Sequence, residues 1–215
     1  MKSALKDKNK VSVITLLNML ALLGLGGCTV FQPAKTISMS TYSIEVQHDA
    51  AGATTSGEQT MLVSTPNARP GYDSRRMVYT KRPNELEFFT QNQWVDSPAR
   101  MLAPLIMQAL ENSAKYRSVV TTRSAVSADL RLDTEVVKLQ QEFATRPSQV
   151  HLTVRAQLID LQGQKIVATR EFNVVEAATS DDPYGGVLAT NKAVKILLLQ
   201  IVDFCAAESK VDKLK

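Results

Sequence analysis

The sequence is poor in the residue types from which catalytic and metal sites are usually built. It contains two histidines, two cysteines and one tryptophan among 215 residues. His48 lies in a small polar segment and His151 on the polar side of an alternating run, so neither belongs to a metal-ligand pair. Beyond residue 27 there is no H-E-x-x-H, no G-x-S-x-G and no phosphate-binding glycine loop. We therefore expect a protein that is not an enzyme and that holds neither metal nor cofactor.

A basic surface for nucleic acid is also missing, although the formal net charge is +4. Four of the 25 basic side chains and one of the 21 acidic ones fall within residues 1–27, which leaves 21 basic and 20 acidic side chains in the remainder. Nucleic-acid binding depends on neutralising phosphates. A nearly neutral chain is not expected to bind nucleic acid.

What the N-terminus does contain is the order of a secretory signal. A lysine-rich start is followed by the apolar run Val11 to Leu25, VSVITLLNMLALLGL, which is shorter than the roughly 20 apolar residues that cross a bilayer. Leu25-Gly26-Gly27-Cys28 resembles a bacterial lipobox, in which cleavage before the cysteine is coupled to acylation of its thiol. We predict that residues 1–27 are a lipoprotein signal peptide and that Cys28 carries the lipid. The alternative is an ordinary signal that leaves Cys28 as a free thiol.

The position of the anchor has two consequences. Thr29, rather than Asp, follows Cys28, which by the sorting pattern of enteric lipoproteins favours the outer membrane, with the protein facing the periplasm. Residues 28–36 form a tether that reaches only about 30 Å when extended, so the folded domain must stay near the membrane. Cys205 is then the one other cysteine; it lies on an apolar helical pattern and is expected to be a small buried hydrophobe rather than a redox thiol.

Hydrophobic periodicity predicts the fold class. Strands are expected at 37–47, 60–64, 76–80, 85–90, 116–122, 128–136, 151–158 and 165–175, and helices at 98–110 and 183–207. A change of parity after Val136 predicts a bulge. This order predicts an α+β (mixed α/β) fold: a single domain, residues 37–215, with a mixed, mostly antiparallel sheet, two packed helices and an inserted β-hairpin.

Each predicted helix begins at a proline preceded by polar residues. Asp96 and Ser97 precede Pro98, and Asp181 and Asp182 precede Pro183, so we expect capping side chains at both helix starts. Cation binding by the two aspartates before Pro183 is the weaker alternative.

Aromatic residues are scarce, at 6% of the chain, but several lie together just before the first helix. Tyr79, Phe88, Phe89 and Trp94 belong to the hairpin segment. Trp94 is expected either to pack in the core against the helix start or, with the other three, to present a partner-binding surface, since aromatic side chains often anchor interfaces.

The segment from Thr65 to Leu102, TPNARPGYDSRRMVYTKRPNELEFFTQNQWVDSPARML, resembles the ABC-transport auxiliary lipoproteins, the group that includes paraquat-inducible protein C of enteric bacteria. The shared features are a proline-containing loop, an apolar strand that ends in tyrosine, a polar-aromatic hairpin and a tryptophan followed by Ser97-Pro98. The lipobox, the meander AQLIDLQGQKI and the C-terminal helix fit the same pattern.

The resemblance implies a function and a partner. Such proteins accompany transport systems built from MCE-domain proteins, which are thought to move lipids between the inner and outer membranes. It implies a non-enzymatic, outer-membrane-anchored component that docks the periplasmic end of the MCE tunnel. A homo-oligomer is compatible with this role. The alternative is a lipoprotein that scaffolds envelope proteins without a role in lipid transport. An envelope hydrolase would require a convergent polar pocket.

Overall fold

The computed structural model describes residues 38–47 and 57–211, and the described residues from Met39 onward belong to one compact unit. The predicted signal peptide, Cys28 and the tether 28–36 lie outside the described residues. The described elements are β1 (Ser40–Tyr42), β2 (Thr60–Val63), β3 (Asn67–Ala68), β4 (Arg76–Thr80), β5 (Glu87–Trp94), α1 (Pro98–Asn112), β6 (Ser118–Thr121), β7 (Leu130–Glu142), β8 (Gln149–Asp160), β9 (Lys165–Ala177) and α2 (Pro183–Val211). This is the expected α+β fold, with two helices and a large mixed sheet.

The long strand β7 organises the sheet. One of its edges pairs with β8 along its whole length, and β8 pairs with β9, both antiparallel. The other edge receives three short strands in succession, all parallel: β2 opposite Leu130, β3 opposite Glu135 and β4 opposite Gln140. The register with β8 shifts between Val136 and Lys138, which confirms the predicted bulge.

At each end of β7, a further strand extends the sheet by pairing with the short strand that lies beside that end. β6 pairs with β2 in parallel at one end. At the other end β5 pairs with β4 as the predicted antiparallel hairpin, and β1 adds to β5 in parallel. The predicted strand 37–47 is therefore mostly not a strand. Beyond Tyr42 the chain leaves the ladder and the backbone N–H of Glu45 donates to Asn191 Oδ1 of α2 at 3.1 Å.

Both helices contribute their apolar side chains to one core. Leu102, Ile106 and Leu110 of α1 and Leu197, Ile201 and Phe204 of α2 are almost fully buried, together with Leu132, Leu152 and Leu158 of the sheet. Cys205 is also fully buried, as expected. Burying a side chain of this size contributes roughly 1.5–3 kcal/mol. The core therefore fixes the sheet and the two helices as one unit.

The helix starts differ from expectation in two places. Ser97 makes no side-chain cap to α1; instead, Asp96 Oδ1 accepts a hydrogen bond from the Ser97 backbone N–H at 2.7 Å. At α2, Asp182 is the capping side chain, because its Oδ1 accepts the Gly185 N–H at 2.7 Å. Asp181 is not a cap: its Oδ1 accepts the Ser148 N–H at 2.6 Å and so joins the helix start to the β7–β8 turn.

Candidate docking surface at the aromatic hairpin

The four predicted partner-binding residues are all on the β4–β5 hairpin, but they point in different directions. Tyr79 is opposite Glu87, and Val78 is opposite Phe88. Because side chains alternate along a strand, Tyr79 and Phe89 lie on one face of the hairpin and Phe88 on the other. Tyr79, Phe88 and Phe89 are half-buried. Trp94 is only 3% exposed.

Tyr79 and Phe89 form an aromatic cluster with a third ring, Phe143. The ring centroids of Tyr79 and Phe89 are 4.4 Å apart, and those of Phe143 lie 5.8 Å from Tyr79 and 6.4 Å from Phe89, both edge-on. These distances are typical of favourable aromatic pairs. We call Tyr79, Phe89 and Phe143 the aromatic cluster.

Phe143 was not among the residues predicted from the sequence. It follows β7 directly, and its backbone N–H donates to Thr80 O at 2.9 Å. The parallel pairing of β4 with the end of β7 brings Phe143 beside Tyr79, 64 positions earlier in the chain. A sequence pattern of local alternation carries no information about that pairing, so no local signal pointed to Phe143.

Charged side chains border the aromatic cluster. The Tyr79 hydroxyl donates to Glu87 Oε2 at 2.6 Å, and Lys81 Nζ lies 3.3 Å from the same oxygen and 5.2 Å from the Tyr79 ring centroid. The hydrogen bond from Tyr79, supported by Lys81, lowers the pKa of the Glu87 carboxyl. The same bond raises the pKa of Tyr79. The exposed ring surface of the aromatic cluster is therefore bordered by the polar groups of Glu87 and Lys81, which the hydrogen bonds hold in place.

Phe88 has a separate environment on the opposite face of the hairpin. The Arg76 guanidinium lies over its ring, 3.7 Å from the centroid. This cation–π contact covers part of the Phe88 ring. The structure therefore does not bring Phe88 into the aromatic cluster.

Two positions were predicted for Trp94, one in the core and one in contact with a partner. The structure places it in the core. It pairs with Tyr42 of β1, and its backbone N–H donates to Arg75 O at 2.8 Å. Its side chain belongs to the core cluster, four residues before α1 begins at Pro98. Trp94 therefore supports the hairpin from inside, and the exposed ring surface comes from the aromatic cluster and Phe88.

A buried amide connects this corner of the sheet to α2. Gln141 is 3% exposed, and its Nε2 donates to Ser148 Oγ at 2.9 Å and to Asp182 O at 3.1 Å. Gly186 lies directly against this side chain, and a Cβ at that position would overlap the end of Gln141 unless Gln141 moved. The start of α2 is thereby fixed close to β7, and Gly186 and Thr190 of α2 line a small cavity with Phe89, while the rings of the aromatic cluster stay half-exposed.

Other candidate chemical groups do not form a site within residues 38–47 and 57–211. No three His, Cys, Asp or Glu side chains there are placed to hold a metal ion. His151 Nε2 is 3.4 Å from Glu142 Oε2 on the sheet surface. Burial raises the pKa of the Cys205 thiol to about 12, so it stays protonated and unreactive at neutral pH. In the same described ranges, no helix is long and apolar enough to cross a membrane.

Comparisons with solved structures find the same fold. A DUF330-family protein from Xanthomonas campestris is 22% identical with a TM-score of 0.73, over 82% of this chain and all of that one. An uncharacterised protein is 12% identical with a TM-score of 0.63, over 78% of this chain and 99% of that one. Comparison with curated protein sequences gives no match.

The family comparison is more specific. The model of the ABC-type transport auxiliary lipoprotein component matches residues 42–202, a range that contains the hairpin, the aromatic cluster, both ladders of β8 and most of α2. This match covers well over half of the chain and agrees with the resemblance of the hairpin segment. The chain therefore belongs to the family of ABC-type transport auxiliary lipoprotein components.

Proposed function

We propose that this protein is the lipid-anchored, periplasmic accessory of an ABC-type system that moves lipids between membranes. Cys28 is its lipid attachment site, and the outer membrane is the membrane that holds it. Its partner is the MCE-domain protein of the same system, whose periplasmic end it docks. It carries out no catalytic step; ATP hydrolysis belongs to another subunit.

The aromatic cluster supports the docking part of this proposal. Three half-buried rings lie together where the β4–β5 hairpin meets the end of β7, and Tyr79 is held in place by Glu87. Rigid aromatic side chains bury a large area at little cost in conformational entropy, which is why they are common interface anchors. The single observation that carries the proposal is this cluster in a member of a transport-auxiliary family.

Anchoring makes a weak docking site sufficient. A domain held to the membrane by a short tether is confined to a thin layer beside it, so its effective concentration near a partner in that layer reaches the millimolar range. Docking then needs no large interface. Association of several copies around the partner is compatible with this mechanism.

Co-purification from envelopes tests the proposal. Tagged full-length protein is compared with the variants Phe89→Ala, which removes one ring of the aromatic cluster, and Val175→Ala, a control at an apolar side chain that is 48% exposed on β9. We expect an MCE-domain protein to be recovered with the wild type and the control and to be lost with Phe89→Ala. Mass spectrometry of the N-terminal peptide should show acylated Cys28.

The scaffold alternative gives a different result. Recovery of other outer-membrane proteins with no MCE-domain protein, from correctly acylated material, would favour a structural role in the envelope. An unacylated N-terminus would overturn the anchor at Cys28.

A further inference from the structure

We propose that one water molecule is bound inside the domain, between the side chain of Gln141 in β7 and that of Thr190 in α2. This water is a fixed part of the fold and joins the sheet to the first turns of α2 beside the β4–β5 hairpin. The inference concerns the described domain alone, so it depends neither on a lipid at Cys28 nor on a partner protein.

The site is a small cavity where the hairpin, the end of β7 and the first turns of α2 meet. Most of its wall is formed by apolar side chains, which are buried except for the half-buried Phe89: Met77, Val78, Phe89, Trp94, Leu139 and Val150. The volume of the cavity is about 10 Å³, which is close to the smallest space that holds one water molecule. The cavity therefore has the size of a single water and not of a larger ligand.

The buried amide of Gln141 supplies the first polar group of the site. Its Nε2 donates to Ser148 Oγ and to Asp182 O, which fixes the orientation of the amide, because turning it over would set its oxygen against the Asp182 carbonyl. Its Oε1 is buried and has no hydrogen-bond partner among the described protein groups. Oε1 is also the Gln141 atom nearest to the Cβ position of Gly186, which lines the cavity. A buried acceptor is unfavourable unless a donor reaches it, and a water in this cavity is such a donor.

Thr190 supplies the second polar group. Its side chain is buried and lines the same cavity, and its Oγ1 donates to Gly186 O at 2.8 Å. Because the hydroxyl proton is used in that bond, the lone pairs of Oγ1 are available to accept a hydrogen bond. The water donates one proton to Gln141 Oε1 and the other to Thr190 Oγ1. Two bonds are within the range that buried waters usually make.

A crystal structure of the full-length protein, at a resolution that shows ordered waters, is the direct test. We expect one water within hydrogen-bonding distance of both Gln141 Oε1 and Thr190 Oγ1. A cavity without density for a water, or a protein group bonded to Gln141 Oε1 in its place, would overturn the proposal.

Oxygen-17 relaxation dispersion of the solvent tests the same site in solution, because its amplitude counts the waters that stay inside a protein while it tumbles. Thr190→Val keeps the shape of the side chain and removes the hydroxyl. Thr153→Val is the matched control, since the Thr153 side chain is also buried but donates to Asn173 Oδ1 at 2.6 Å and does not line the cavity. We expect the amplitude to fall by one long-lived water in Thr190→Val and to keep the wild-type value in Thr153→Val. An unchanged amplitude in folded Thr190→Val would overturn the water bridge, and if that variant does not fold, the crystal structure still decides.

Discussion

The hydroxyl of Tyr79 donates a hydrogen bond to Glu87 Oε2 at 2.6 Å, directly across the β4–β5 ladder. This bond fixes the orientation of the ring that stacks on Phe89. The aromatic cluster therefore has a defined shape before any partner arrives, which lowers the entropic cost of binding.

Tyr79→Phe is expected to change the titration of Glu87 and to keep the ring stack. The hydrogen bond from Tyr79 is the largest cause of the lowered Glu87 pKa, and Lys81 remains as a second cause in the variant. We expect the Glu87 pKa to rise toward its ordinary value, but not to reach it, in a carboxyl-carbon NMR titration. Because the pKa of Glu87 is lower in the folded protein than in the unfolded chain, ionised Glu87 stabilises the fold at pH values above its unfolded-state pKa. This stabilisation is lost as the pH falls through the folded-state pKa. An unchanged Glu87 pKa would show that the bond is not formed in solution.

Gly186→Ala is expected to destabilise the protein, because its Cβ would overlap the side chain of Gln141. Such overpacking typically costs about 1–3 kcal/mol, measurable by urea unfolding. Gln141→Ala alone also destabilises, since it removes the hydrogen bonds to Ser148 and Asp182. In the double variant we expect Gly186→Ala to cost much less than in the wild type, because the colliding side chain is gone. If the free-energy costs of Gly186→Ala and Gln141→Ala simply add in the double variant, the contact between position 186 and the Gln141 side chain is contradicted.

Asp182→Ala is expected to remove the N-terminal cap of α2, at a cost of about 1 kcal/mol at neutral pH. The hydrogen bond from the Gly185 N–H lowers the pKa of Asp182, so the stabilisation is present above the unfolded pKa and is lost as the pH falls through the folded pKa. Urea unfolding at pH 7 and in acid should therefore show a difference between variant and wild type that shrinks in acid. Asp203→Ala, at an exposed position on the same helix, is the control and should change the free energy of unfolding little.

Cys205 is expected to resist alkylation in the folded protein. Its side chain is fully buried, and burial raises its pKa to about 12, so the reactive thiolate is scarce up to pH 9. Iodoacetamide should modify the protein only after denaturation, as followed by intact-mass spectrometry. Rapid modification of the native protein would show that the helix α2 opens at this point.

Much of the fold could be predicted because its information is local. Alternation identified β7 and β8, the turn at 160–163 indicated β9, the change of parity located the bulge after Val136, and the two prolines marked both helix starts. The hairpin was predicted from two apolar-aromatic runs around a polar turn. In each of these cases the evidence lies within a few residues of the feature.

The rest could not be predicted because alternation along a strand shows which of its faces is buried but not which strand pairs with it. Nothing near Tyr79 indicates that β4 is parallel to the end of β7, so Phe143 was missed. Alternation places Phe88 and Phe89 on opposite faces of the hairpin, but it does not show which side chains each ring contacts. The sequence motif also did not show that Ser97 would make no side-chain cap or that Asp96 would accept the Ser97 N–H.

The adjacent positions 88 and 89 allow the most direct test of the central claim, that the aromatic cluster docks an MCE-domain partner. A photo-crosslinking amino acid is placed at Phe89, within the cluster, or at Phe88, on the opposite face, in intact envelopes, each with and without Cys28→Ala. We predict crosslinking to an MCE-domain protein from residue 89, weak or none from residue 88, and a marked loss when the anchor is removed. Equal crosslinking from both positions, or capture of other outer-membrane proteins alone by a correctly anchored protein, would contradict the account.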